Sequence, residues 1–171
     1  MSKILFITGP PGAGKSTTCT AFAANSNETW AFVEQDEIRK LVKAGFADPS
    51  EPWTKGTDNQ WDASIDICAD IARVYKRRGI NLILECFAPP YSFEKWEKAF
   101  QGLEYKIIIL QPAIGVAIQR NAQRRGAAKL REEQVKEHHL WFEGWKGRTE
   151  ATCIDTSTLS LEEAVEAISA I

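Results

Sequence analysis

At 171 residues the chain suits one domain with room for a normal core, and it predicts no second domain. Lysine and arginine total 21 against 23 acidic residues, a formal charge of −2 that argues against general attraction to a polyanion, so a basic site must be local. No apolar run reaches bilayer-spanning length, no charged-then-apolar leader precedes the first strand, and Cys19, Cys68, Cys86 and Cys153 are scattered without a C-x-x-C pair. The expectation is a soluble cytoplasmic protein with reduced thiols and no membrane partner.

The first element is a β-branched and apolar strand over residues 4–8, of the kind buried on both faces in a parallel sheet. Gly9-Pro10-Pro11-Gly12-Ala13-Gly14-Lys15-Ser16 follows at once and fits G-x-x-x-x-G-K-[ST]. Glycines at this spacing let successive N–H groups curl around phosphate oxygens, with Lys15 reaching the outer phosphates and the Ser16 hydroxyl a ligand for Mg²⁺. A helix predicted over 16–24 points its N-terminal dipole at the same anion.

A second strand is expected over 31–33 and a helix over 36–44. The stretch 45–59 breaks periodicity around Asp48-Pro49-Ser50-Glu51-Pro52-Trp53 and reads as a long loop, either a binding lid or a surface insertion. Residues 61–78 set Ile65, Cys68, Ile71, Ala72 and Tyr75 against Asp62, Asp66, Asp70, Arg73 and Arg77, the pattern of an amphipathic helix. Strands at 80–86, 106–111 and 152–155 alternate with helices at 92–100, 113–124 and 130–144. The last helix starts at Ser160 with the capping-box pattern Ser160-x-x-Glu163. Five strands alternating with helices predict an α/β layered fold around a mainly parallel sheet.

A phosphate loop alone does not distinguish switches, motors and kinases. Asp36 and Arg39 stand one helical turn apart just past the second strand, where a parallel sheet opens its ligand crevice. A carboxylate there can take the proton of an attacking hydroxyl while the arginine holds the acceptor; the alternative is a first-turn acid with a solvated neighbour. Glu85 closes an almost wholly apolar strand and is the metal-side candidate, and Phe87-Ala88-Pro89-Pro90-Tyr91 after it is a candidate pocket lining. Arg120, Arg124, Arg125, Lys129 and Arg131 put five cations and no acid between 120 and 131. Arg120 and Arg124, spaced i,i+4, are the candidate phosphate clamps, and Gly126-Ala127-Ala128 is a candidate hinge for a lid.

Adjacent His138 and His139 diverge on a helix and read as structural. Trp141, Phe142 and Trp145 read as core, Trp53 and Trp61 as either loop anchors or acceptor contacts, and Asp155-Thr156-Ser157 as a turn beside the adenine or a helix start.

Together the loop at 9–16, Asp36-x-x-Arg39 and Arg120-Asn121-x-x-Arg124 resemble the small P-loop kinases: the kinase domain of phage-type polynucleotide kinase, the zeta toxins and the chloramphenicol phosphotransferase-like kinases. The resemblance runs over nearly the whole chain and implies a three-layer α/β/α domain spanning 1–171, five parallel strands in the order 2-3-1-4-5, and a helical lid over roughly 118–135. It further implies that Lys15 and Ser16 hold phosphates and Mg²⁺, that Asp36 is the base, that Arg39 positions the acceptor, and that Arg124 is the lid arginine alongside Lys15 in catalysis. Read from the residues themselves, Gly9, Gly12, Ala13, Gly14 and Thr17 of the loop and Arg120 are the further candidate ATP contacts, and Glu85 is the candidate Mg²⁺ ligand beside Ser16. Residues 45–61 carry Asp48, Glu51 and Asp58 against Lys55 alone, which favours a small hydroxyl-bearing acceptor over a nucleic-acid end. A 5′-hydroxyl polynucleotide kinase and a non-catalytic nucleotide-binding protein stay open as alternatives.

Overall fold

A computed structural model describes residues 2–49, 51–124 and 129–171. Its five strands, β1 (Ile4–Thr8), β2 (Trp30–Glu34), β3 (Asn81–Glu85), β4 (Lys106–Leu110) and β5 (Ala151–Ile154), are all parallel and run in the order β2-β3-β1-β4-β5. This is the order the resemblance implied. The helices are α1 (Lys15–Asn25), α2 (Gln35–Arg39), α3 (Lys55–Arg77), α4 (Phe93–Ala99), α5 (Ile114–Ala122), α6 (Glu132–Phe142) and α7 (Leu161–Ser169).

Period-two alternation divides β1 between two cores. Ile4 and Phe6 join Leu82, Leu84, Ile107 and Ile109 on the face covered by α3, α4 and α6, whereas Leu5 and Ile7 join Ile83, Ile108 and Leu110 beneath α1 and α7. Phe6 meets Phe93, Trp96 and Phe100 edge-on, at centroid distances of 5.4, 5.0 and 5.8 Å. Burial pushes the Cys68 thiol up to about 12 and Cys86 well above its ordinary value, so both behave as small apolar fillers. Cys153 is exposed, and all four cysteines are free.

Three of the element boundaries that differ from the sequence reading bear on the site. Helix α2 stops at Arg39 instead of continuing to 44: the Arg39 side chain turns inward and donates to Ala47 O at 3.2 Å, and Gln60 bonds Ala47 N (2.8 Å) and Gly45 O (2.7 Å). Helix α3 begins at Lys55, not 61, because Thr54 and Thr57 cap each other's backbone N–H groups. The long loop is shortened accordingly. Helix α5 ends at Ala122, two residues short of Arg124. The capping box at Ser160 and Glu163 forms as its spacing predicts. Among the described residues no helix is long and apolar enough to cross a membrane.

Candidate active site

Strand β1 hands the chain to the phosphate loop at the C-terminal edge of the sheet, and the loop ends where α1 begins at Lys15. Two contacts explain why glycine occupies its fixed positions. A Cβ on Gly9 would lie 2.1 Å from Leu110 O, and one on Gly12, at φ +82°, would lie 2.5 Å from Ala117 O. The loop is therefore wedged between the end of β4 and helix α5. The first turn of α1 holds no acidic residue and has no side-chain cap, which leaves its N–H groups to an anion.

Lys15 Nζ donates to Gly9 O at 2.9 Å and stands 3.6 Å from Glu85 Oε1. Ser16 Oγ donates to Glu85 Oε2 at 2.8 Å. Beside them lies a residue that the sequence reading did not single out: Glu34 pairs in register with Glu85 across β2 and β3. Burial first, then the hydrogen bond to Glu85, push the Glu34 carboxyl above its ordinary value, with Ser16 pulling it back in part. A hydroxyl and two carboxylates form a hard-oxygen donor set that suits Mg²⁺, which is held through one or two protein carboxylates together with phosphate oxygens. Such a site needs no large cluster, and the described residues contain no group of three or more His, Cys, Asp or Glu disposed to bind a metal.

On the other side of the loop a cavity of about 300 Å³ is lined by Gly12, Gly14, Thr17, Arg120, Arg124 and Thr156, among others. Arg120 donates to Thr156 O at 2.8 Å, and Thr156 Oγ1 donates to Ala13 O at 3.1 Å. Arg120 thus ties the turn after β5 to the phosphate loop, its donors directed at the Gly12 and Thr156 carbonyls and the Thr156 hydroxyl. The turn at 155–157 sits at this cavity, with Ser157 Oγ accepting from Ala113 N at 2.7 Å. Asn121, buried, clasps Leu130 through both halves of its amide, at 2.8 and 3.1 Å, and pins the far end of the 118–135 segment to α5. Arg125 and the expected hinge at 126–128 lie outside the described residues. Lys129 and Arg131 are exposed.

Asp36, the second residue of α2, lies two residues beyond Glu34 and is 72% exposed, with Arg39 Nη1 3.4 Å from its Oδ1. Arg39 is only 3% exposed, lying over Trp61 at 4.8 Å and Phe46 at 5.3 Å from the ring centroids. Gln35, buried between them, bonds Ser64 Oγ at 3.0 Å and accepts from Phe87 N at 3.4 Å, joining α2 to α3 and to the turn after β3. The structure therefore joins Lys15, Ser16 and Glu85 by direct contact, sets Glu34 beside them, and places Arg120 and Arg124 at the neighbouring cavity.

The aromatic residues divide differently from the sequence reading. Phe142 and Trp145 are fully buried, but Trp141 is not: it packs on His138 at 4.6 Å, Tyr91 at 5.6 Å and Phe87 at 6.2 Å. His139 is structural, its Nε2 2.7 Å from Pro112 O. His138 belongs to the aromatic surface, and burial lowers its pKa, so the ring is neutral at neutral pH.

A family model described as an AAA domain matches residues 4–145. No curated protein sequence matches this chain at a significant level. Among solved structures, the chain is similar to a tunicamycin resistance protein of Deinococcus radiodurans (TM-score 0.72, 20% identity, 99% of this chain and 95% of that one). It is also similar to a sugar kinase from Janibacter sp. HTCC2649 (TM-score 0.70, 15% identity, 98% and 92%). A third likeness is to a chain of the Pnkp1/Rnl/Hen1 RNA repair complex (TM-score 0.70, 15% identity, 93% and 50%). At these identities the shared property is the fold, that of the P-loop kinases.

Proposed function

The chain belongs to the AAA domain family, and from that premise we propose that it is a kinase moving the γ-phosphate of ATP, with Mg²⁺, to a hydroxyl of a small-molecule acceptor. The observation that carries the reading is the contact of Lys15 and Ser16, from the phosphate loop, with Glu85 from β3. In it Lys15 neutralises the outer phosphates, and Ser16, Glu85 and Glu34 hold the cation, which when bound offsets negative charge on the transferring group. Loop N–H groups at 12–16 and Thr17 cradle the phosphates, Arg120 braces the base-side cavity, and Arg124 supplies a cation from the lid. Asp36 accepts the acceptor's hydroxyl proton, and Arg39 fixes the acceptor-side wall on which that hydroxyl is presented. Such an enzyme works where ATP is abundant, in the cytoplasm.

The similarity to a chain of an RNA repair complex favours one second reading, transfer to a nucleic-acid 5′-hydroxyl. The acidic stretch 45–59, with three acids and one lysine, opposes it. A screen of ATP consumption against pooled sugars, aminoglycosides, alcohols, nucleosides and a 5′-hydroxyl oligonucleotide decides between them. The expected result is a phosphorylated small molecule whose formation is abolished in Asp36→Asn while ATP still binds. Equally fast transfer in that variant refutes the role of Asp36; salt-sensitive labelling of the oligonucleotide alone selects the second reading; ATP binding without any product leaves a nucleotide-dependent binding protein.

A further inference from the structure

Resting on the kinase reading, we infer that the acceptor is a neutral or cationic alcohol bearing a planar aromatic ring, seated on a band of side chains that begins beside the reaction centre. Phe87 lies two residues beyond Glu85, and its N–H is held by Gln35, the residue preceding Asp36. From Phe87 the band runs one way to Trp61 at 6.5 Å and on to Trp53 at 5.6 Å, and the other way to His138 at 5.2 Å, Trp141 at 6.2 Å and, beyond it, Tyr91. Six rings from α3 and the segment entering it, the turn after β3 and α6 thus form one unbroken series of ring contacts at the C-terminal end of the sheet.

This surface rises from the core, on which Trp61 and Phe87 pack, and opens outward from it. Phe6, Trp96, Phe142 and Trp145 are at most 1% exposed, whereas Trp53 is 53% and Tyr91 68% exposed, and the rings between them are partly open. Its edge is built with polar support: Trp53 Nε1 donates to Asp58 at 2.8 Å, and the Arg39 guanidinium stacks on Trp61. Arg39 is also more than nine-tenths buried against this wall with its Nε lacking a partner among the described residues. The rings meet edge-on or tilted, so the band is faceted, and each open facet can stack a planar ring whatever its substituents. The charge alongside narrows the choice: Asp58 bonds Trp53 and the exposed Asp36 pairs with the Arg39 that stacks on Trp61, which disfavours a polyanion and accepts a neutral or cationic molecule.

The test uses matched acceptors: p-nitrophenyl β-D-glucoside against methyl β-D-glucoside, and thymidine against 2-deoxyribose, with a 5′-hydroxyl oligothymidylate as the polyanionic counterpart. The ring-bearing member of each pair is expected to react with kcat/KM about tenfold or more above its partner. That ratio falls toward one in Trp141→Leu and in the exposed variant Trp53→Leu, through KM for the ring-bearing acceptor. Equal kcat/KM within both pairs, or a preference for the oligonucleotide over thymidine, overturns the inference while leaving a kinase. If no acceptor reacts, calorimetric titration of thymidine and of the aryl glucoside into the protein decides the band alone. Saturable binding lost in Trp141→Leu sustains it; its absence refutes it.

Discussion

Replacing Gly12 with alanine tests the packing of the phosphate loop against α5. The new Cβ would lie 2.5 Å from Ala117 O, 2.9 Å from its Cα and 3.0 Å from its carbonyl carbon, all backbone atoms of a helix that cannot rotate away. Two costs combine. A left-handed φ of +82° disfavours alanine by about 1–2 kcal/mol, and displacing packed backbone adds roughly 1–3 kcal/mol. The stiffer unfolded chain returns about 0.4–1 kcal/mol. The net loss is about 2–4 kcal/mol, which for a domain of this size lowers Tm by roughly 4–16 °C. Gly147 supplies the control, since its φ of +79° is nearly the same but a Cβ there meets nothing within 4 Å. Gly147→Ala should therefore cost about 1 kcal/mol, the strain alone. Thermal unfolding followed by circular dichroism compares the two variants. Equal Tm losses would refute the claim that the loop is wedged against α5.

Glu34→Gln should raise stability at neutral pH, because the native state holds the Glu34 proton to higher pH than the unfolded chain does; wild-type stability falls as pH rises through that raised value. The gain should shrink as pH falls into the ordinary carboxylate range and vanish below it, so thermal melts should show a smaller gain at pH 4 than at pH 7.5, an equal gain at both values counting against the shift. The same variant should weaken Mg²⁺-dependent nucleotide binding, which titration calorimetry with and without Mg²⁺ reports. Arg120→Met removes the 2.8 Å bond to Thr156 O and should raise KM for ATP about tenfold, with a smaller effect on kcat. Arg39→Met loses the stacking on Trp61 and the bond to Ala47 O, about 2–3 kcal/mol together, and should expose residues 40–54 to limited proteolysis before the remainder of the chain unfolds.

What could be read from the sequence was local. The phosphate loop depends on spacing within eight residues, and each strand shows itself by an apolar run, so both were legible; the strand order came through family resemblance. Glu34 escaped notice because its significance arises only when β2 and β3 align in register and bring Glu85 opposite it. The first six residues of α3 were missed because its capping box uses Thr57 where the usual pattern has Glu or Gln. Trp141 and Trp145 have the i,i+4 spacing of a shared helix face, but α6 ends at Phe142 and a 3₁₀ turn over Glu143–Trp145 turns Trp145 into the core while Trp141 stays at the surface. The same reasoning separates Arg120 from Arg124: the helix ends between them, and they reach one cavity from a helix and from the segment beyond it.

The charges around Ser16 constrain what the site accepts. Glu34 and Glu85 stand side by side, with one cation, Lys15, 3.6 Å from Glu85 and otherwise tied to Gly9 O. Opposite them, the uncapped first turn of α1 and the loop N–H groups offer positive potential with no acid of their own to meet it. A bare polyphosphate would satisfy the amides but press its charge against two carboxylates; a bare divalent cation would satisfy the carboxylates but confront Lys15. Only a ligand that presents both signs at this separation, a polyanion carrying its divalent cation, meets every group at once. The raised pKa of Glu34 has burial as its first cause and the facing Glu85 carboxylate as its second, and a proton relieves the crowded pair.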